Sequence, residues 1–134
     1  MSDAFSEEFK NRQSPQWWYN KASQLHASAA VVWHFGVANK VSDSVKNELG
    51  FPAGFSIDAG CFPVFPLLCG LAIETLLKGI IALSGGEVEF KHNLVELAES
   101  ANLELNDALK KNLRFLSESV IWGGKYPVPK QEKN

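Results

Sequence analysis

Glu74 and Lys78 stand four residues apart in a long, largely apolar run from Phe62 to Leu83. On a helix that spacing puts both side chains on one face, where they can form an ion pair. At about 100° per residue, Leu67, Gly70, Leu71 and Ile81 fall on the same side, so the pair is embedded in an apolar stripe. Charges in such surroundings are costly unless each finds partners. Two roles fit: a structural salt bridge that orients the helix against its neighbours, or the polar floor of a small pocket or dimer interface. Gly70, about one turn before Glu74, would let another backbone or a ligand approach closely.

His92 directly precedes Asn93, a cap residue for the short helix expected after it. A neutral imidazole there can hydrogen-bond to backbone, to Glu74 or to Tyr126; a catalytic role would make it a general base. His26 and His34 lie eight apart with no acidic neighbour, too far for two ligands on one helical face, so no metal site and no cofactor is assigned. Trp122-Gly123-Gly124-Lys125-Tyr126-Pro127 is a helix stop that turns back sharply. Its aromatic residues can pack over the end of the fold, or Lys125 and Tyr126 can offer a cation and a phenol to a phosphate or nucleobase. The binding candidates are therefore Glu74, Lys78, His92, Lys125 and Tyr126. Catalytic residues stay unassigned, with His26 and His92 as the candidates. The sequence holds no Walker loop, GxGxxG, HExxH or GxSxG motif.

Composition narrows the classes. The chain has 134 residues, 46% of them hydrophobic, with nine Phe and four Trp, which suits one folded domain with a real core. Thirteen basic residues against fifteen acidic give a net charge of −2, so duplex nucleic acid is not held here by bulk charge. Cys61 and Cys69, without a CxxC partner, read as ordinary thiols of a cytoplasmic protein. The polar, acidic start from Met1 to Lys10 is no signal peptide. The apolar run contains Pro63, Pro66, Glu74 and Lys78. Each mid-span charge would cost roughly 2.5–3.5 kcal/mol on insertion scales, so a central bundle helix explains the run better than a membrane span.

The elements that must position these residues are helical throughout. Residues 1–13 are a polar lead-in and 130–134 a polar tail around a single domain at 14–129. Ser14-Pro15 opens a helix whose stripe of Trp18, Ala22, Leu25, Ala29, Val32 and Trp33 runs to about Ala38. Val41 to Leu49 extends it or forms a short second helix, and Gly50 to Gly60 reads as a loop. A buried central helix starts near Pro63 or Pro66 and stops at Ser84-Gly85-Gly86. Asn93 caps a short helix with Glu96 as capping-box partner, and Asn106 or Asp107 caps the last, striped by Leu109, Leu113, Leu116 and Val120. The expected class is an all-α, up-and-down bundle of four to five helices.

Trp17-Trp18 on a long helix, GLAIETLLKG at 70–79, His92-Asn93-Leu94 and IWGGKYP at 121–127 together resemble the HEPN-like helical domains of small bacterial proteins. There a Gly-Leu-Ala-x-Glu-x-x-x-Lys helix precedes His-x-Leu and a Trp-x-Gly-Arg-Tyr-Pro-type end. The resemblance spans roughly residues 15–129 and implies a HEPN-like bundle, often a homodimer. Many members are metal-independent ribonucleases of toxin–antitoxin, phage-defence or RNA-processing systems, and others are RNA- or nucleotide-associated scaffolds.

The family's ribonucleases carry an Arg and a His with four to six residues between them. Here Arg12 is followed only by the distant His26, and Arg114 by no His; Lys21 has the spacing to His26 but lacks the bidentate phosphate grip of Arg. Lys125 likewise replaces the Arg of the Arg-Tyr-Pro end. The expectation is therefore a non-catalytic module binding RNA, a nucleotide or a partner protein, such as a nucleotidyltransferase in a toxin–antitoxin or defence system. It is expected to be a homodimer with Trp17, Trp18, Trp33 and Phe35 on its dimer face, and to engage no membrane. The alternative is a divergent ribonuclease, using Lys21 with His26, or Glu74, Lys78 and His92 together.

Overall fold

A computed structural model describes residues 14–128. The lead-in with Arg12, and the tail from Pro129, lie outside the described residues. Within them the chain is all-α: α1 (Pro15–Val31), α2 (Asp43–Glu48), α3 (Ile57–Cys61), α4 (Val64–Leu83), α5 (Leu94–Ser100) and α6 (Asp107–Glu118). One π-turn, Val32–Val37, continues α1, and another, Ser119–Gly123, continues α6. With α3 leading into α4 through Phe62-Pro63, these segments form five helical rods.

Local chemistry sets most boundaries. Pro15 fills the first turn of α1, where a missing N–H costs nothing, although the Ser14 hydroxyl makes no capping bond. The side chains of Ser42, Ser56, Asn93 and Asn106 each accept a backbone N–H at the start of α2, α3, α5 and α6. Asn93 Oδ1 takes the Glu96 N–H at 3.1 Å, while the Glu96 carboxylate lies 3.8 Å from Lys91 Nζ. Gly85, at φ +80°, ends α4 in the left-handed region that a side chain would strain. The expected loop at 50–60 is not wholly irregular: Ser56 and Asp58 supply a cap and a first-turn acid, and they wind Ile57–Cys61 into α3.

α4 is the spine. α1 runs antiparallel to it: Trp18 lies at Gly79 near one end, and the Trp33 and Phe65 rings sit 4.9 Å apart near the other. α6 is also antiparallel to α4. Val120 and the Leu116 carbonyl press on Gly70, where a Cβ would fall 2.6 Å and 3.0 Å from them. Between α4, α5 and α6 lies the core of Leu77, Ile81, Leu94, Leu97 and Ala98, flanked by Ile73, Ile80, Leu113 and Leu116. Each large side chain buried there is worth about 1.5–3 kcal/mol against exposure. The α1 side is built from smaller groups, with Ala22 and Ala29 buried against α4.

Candidate functional site

The face of α4 that meets α5 and α6 also carries its two charges. Glu74 and Lys78 are 5% and 4% exposed, and Lys78 Nζ lies 3.4 Å from Glu74 Oε2. The other carboxylate oxygen, Oε1, is 2.6 Å from His92 Nδ1. Trp18, on α1, brings its ring to 5.8 Å from the Lys78 ammonium, a cation–π contact. The buried carboxylate thus has a partner on each oxygen, as a charge removed from water requires.

The backbone after His92 is anchored as firmly as its ring. Asn93 caps α5, and the N–H of Leu94, a residue of zero exposure, donates to Ser117 Oγ at 2.9 Å. Ser117 in turn donates to the Leu113 carbonyl at 2.8 Å. α6 therefore holds the 92–94 strap on α4, and His92 is placed over Glu74 with its side chain still 52% exposed. A carboxylate on one ring nitrogen of a half-exposed imidazole fixes the ring, the geometry by which acids orient a general base.

Lys125 and Tyr126 lie at another level of α4. The α6 end closes through Gly124 N–H to Ser119 O at 2.9 Å and Tyr126 N–H to Trp122 O at 2.8 Å. Gly124 sits against Leu67, two turns before Glu74, so closely that a Cβ would fall 2.4 Å from Leu67 Cβ. Both Lys125 and Tyr126 have exposed side chains. Beside this end opens a groove of about 540 Å³, walled by Phe62, Pro66, Arg114, Phe115, Glu118 and Trp122. Glu118 accepts the indole N–H of Trp122 at 2.7 Å, which fixes the ring along the groove. The residues from α6 were not singled out from sequence as a site, yet Arg114, Glu118 and Trp122 recur every four residues, a spacing that stacks side chains on one helical face.

The remaining histidines are elsewhere. His26 is exposed on α1 and lines a groove between α1 and α4 of about 440 Å³, with Tyr19, Ser23, Cys69, Ile73 and Leu76. That groove opens away from Glu74, which lies about 160° from Leu76 around the α4 axis. The structure therefore brings His92, not His26, to the charged pair. His34 meets Phe35 edge-on at 4.7 Å. Of the four aromatics expected on a dimer face, Trp17, Trp33 and Phe35 are exposed, but Trp18 is turned inward over Lys78. Among the described residues no three His, Cys, Asp or Glu gather as a metal centre would need, and both cysteines are free thiols.

No family model matches the chain, and no curated protein or solved structure does so significantly.

Proposed function

We propose that this chain is a non-catalytic, HEPN-like module that binds single-stranded RNA or a nucleotide in the groove at the end of α6. The observation that carries this reading is the ladder of Arg114, Glu118 and Trp122 beside Phe62 and Phe115, with Lys125 exposed nearby. Aromatic faces stack bases, a guanidinium grips phosphate, and a carboxylate accepts from exocyclic amines. The HEPN-like assignment is supported by the way its four motifs share one helix. Trp18 covers Lys78, His92 binds Glu74, and Gly124 of the Trp-Gly-Gly-Lys-Tyr-Pro end packs on Leu67.

The test is anisotropy of a short fluorescent RNA. Stacking on one aromatic residue is worth about 1–3 kcal/mol, so Trp122→Ala should weaken binding by roughly 5- to 150-fold, and Arg114→Ala should also flatten the salt dependence. Unchanged affinity in both variants, or no binding by the parent chain, would overturn the site. A module of this kind fits a toxin–antitoxin or defence setting with a nucleotidyltransferase as partner, which co-purification of the two chains would check.

One observation favours a second reading, a metal-independent ribonuclease. His92 is half exposed and held at 2.6 Å by a buried carboxylate, as a general base acting on a ribose 2′-hydroxyl would be. Cleavage that persists in EDTA and is lost in His92→Ala, but retained in His26→Ala, would replace the first reading with this one.

A further inference from the structure

We propose that the corner between the end of α1 and the short helix α2 binds a single-chain amphiphile, a free alkyl chain ending in a carboxylate. The corner is built from two apolar pairs, each at a spacing of four. Val31 and Phe35 belong to α1 and its π-turn, and Val45 and Leu49 to α2 and its C-terminal cap. All four are exposed, at 56%, 65%, 42% and 61%. α2 has no buried residue, so its apolar pair adds nothing to the core. The pairs wall a groove of about 500 Å³. Gly36 is buried beside it, and a Cβ there would fall 2.6 Å from Cys61 Sγ, so a bare backbone at this point lets α3 close against the π-turn. The volume falls among those of small-molecule sites, about 300–1,000 Å³. The groove shares no lining residue with the one at the end of α6.

Charge selects the head group. Among the described residues that wall this groove, Lys40 alone is charged. Asn39, Lys40, Val41 and Ile57 also line a second cavity of about 390 Å³, so the two run together at the linker after α1. The second cavity adds Lys46, Ser56 and Asp58. The Lys46 side chain is only 12% exposed. Among the described residues its ammonium makes no hydrogen bond, and its ion-pair partner, Asp43, stands 3.8 Å away with a side chain 80% exposed. A cation so largely withdrawn from water is poorly compensated by that contact. Asp58 is the one carboxylate among the described residues lining the cavity, and it is held by the Ser56 hydroxyl and the Ala59 N–H. The trough thus has two cations at one end and hydrocarbon at the other, the complement of an anionic head on an apolar tail.

The lining also selects an alkyl chain over a peptide. Asn39 donates its side-chain amide to the His34 carbonyl, and the Ser42 hydroxyl accepts the Val45 N–H as the cap of α2. The polar side chains beside the apolar pairs are therefore engaged within the chain. A peptide would bring an N–H and a C=O into the groove with every residue, each needing a partner there. A run of methylenes brings none.

Titration calorimetry with octanoate, decanoate, dodecanoate and decanol, each below its micelle or solubility limit, tests this directly. Affinity for the carboxylates should rise roughly 15-fold for each two carbons added. Decanol should bind roughly tenfold more weakly than decanoate. Lys40→Met combined with Lys46→Met should erase that gap and leave decanol binding unchanged. Val45→Trp should abolish binding of both, and Val31→Trp, from the facing wall, should do the same; helical circular dichroism checks that each variant folds. Absence of decanoate binding by the parent chain would overturn the proposal. So would equal affinity for decanol and decanoate, or binding that survives both tryptophan variants. A peptide with a free C-terminal carboxylate that binds where no alkyl carboxylate does would give the groove to a peptide instead. Binding to phosphatidylglycerol vesicles alone would give it to a bilayer surface.

Discussion

His92 Nδ1 lies 2.6 Å from Glu74 Oε1, across 18 residues of sequence, and the two differ sharply in exposure: the histidine side chain is 52% exposed and the glutamate's 7%. The contact joins the interior to the surface. Inside, Glu74 faces Lys78; outside, the imidazole lids the carboxylate. The group at stake in the interior is therefore Glu74, and its partners exist to keep its charge tolerable in an apolar core.

Removing one partner of that pair should be worse than removing both. Glu74→Ala leaves the Lys78 ammonium buried under Trp18 without its anion, a loss of about 3–5 kcal/mol in stability. Glu74→Leu combined with Lys78→Met keeps the volume and discards both charges, so it should recover most of that loss. Urea midpoints of Glu74→Leu, Lys78→Met and the double variant measure it, and a double variant as unstable as the sum of those two singles would refute the argument.

Ser117→Ala should destabilise the fold by about 1–3 kcal/mol, because the Leu94 N–H, at zero exposure, then has no acceptor. The same change should loosen His92 above Glu74. Hydrogen exchange reads both effects: the Leu94 amide should lose most of its protection while amides in the middle of α1 keep theirs. Equal loss across all helices would mean that Ser117 supports the whole bundle rather than the strap.

The spine and its charges were legible because they obey short-range rules. The apolar run bounded by prolines and glycines announces a central helix, and a spacing of four announces that Glu74 and Lys78 meet. His92 could be paired with Glu74 only as one of several choices, since a contact across 18 residues follows from packing, not spacing. The bond between Ser117 and Leu94 has no sequence signal beyond a serine on the inner face of α6. The π-turns were illegible for a similar reason. The bond from Ala38 N–H to Trp33 O spans five residues, and such wide turns arise where tertiary packing competes with the regular ladder. α3 was hidden by the Gly- and Pro-rich composition around it, although Ser56 and Asp58 were a readable cap. The groove beside Trp122 depends on α3–α4 and α6 ending at the same level, which no periodicity states.

Raising the pH should unmask Cys69. Partial burial between α1 and α4 pushes its thiol above the ordinary value of 9.0, since the thiolate is disfavoured there. The folded chain thus holds this proton more firmly than the unfolded chain. The contribution to stability is complete below the unfolded value and is lost as pH rises through the folded one. Cys69→Ala should therefore lose less melting temperature than the parent between about pH 8 and pH 10. Alkylation of Cys69 at neutral pH should also be slower than that of a free cysteine peptide. A parent and variant whose melting curves fall in parallel would show that the thiol carries no such linkage.

Gly70 tests whether α6 truly bears on the spine. An added Cβ would lie 2.6 Å from Val120 Cγ2 and 3.0 Å from the Leu116 carbonyl oxygen. The side chain can turn aside, but the carbonyl belongs to the helix backbone and moves only with α6. Gly70→Ala gains helix propensity of about 1 kcal/mol, whereas overpacking costs about 1–3 kcal/mol, so the net effect should be destabilising by up to about 2 kcal/mol. Val120→Ala removes the methyl contact and leaves a void where Val120 is now fully buried. In combination, the methyl introduced by Gly70→Ala partly fills that void, so the double variant should be more stable than the two single losses add up to. Strict additivity in thermal or urea unfolding would mean that α6 has enough freedom to move off Gly70, and that the α4–α6 contact is looser than these distances require.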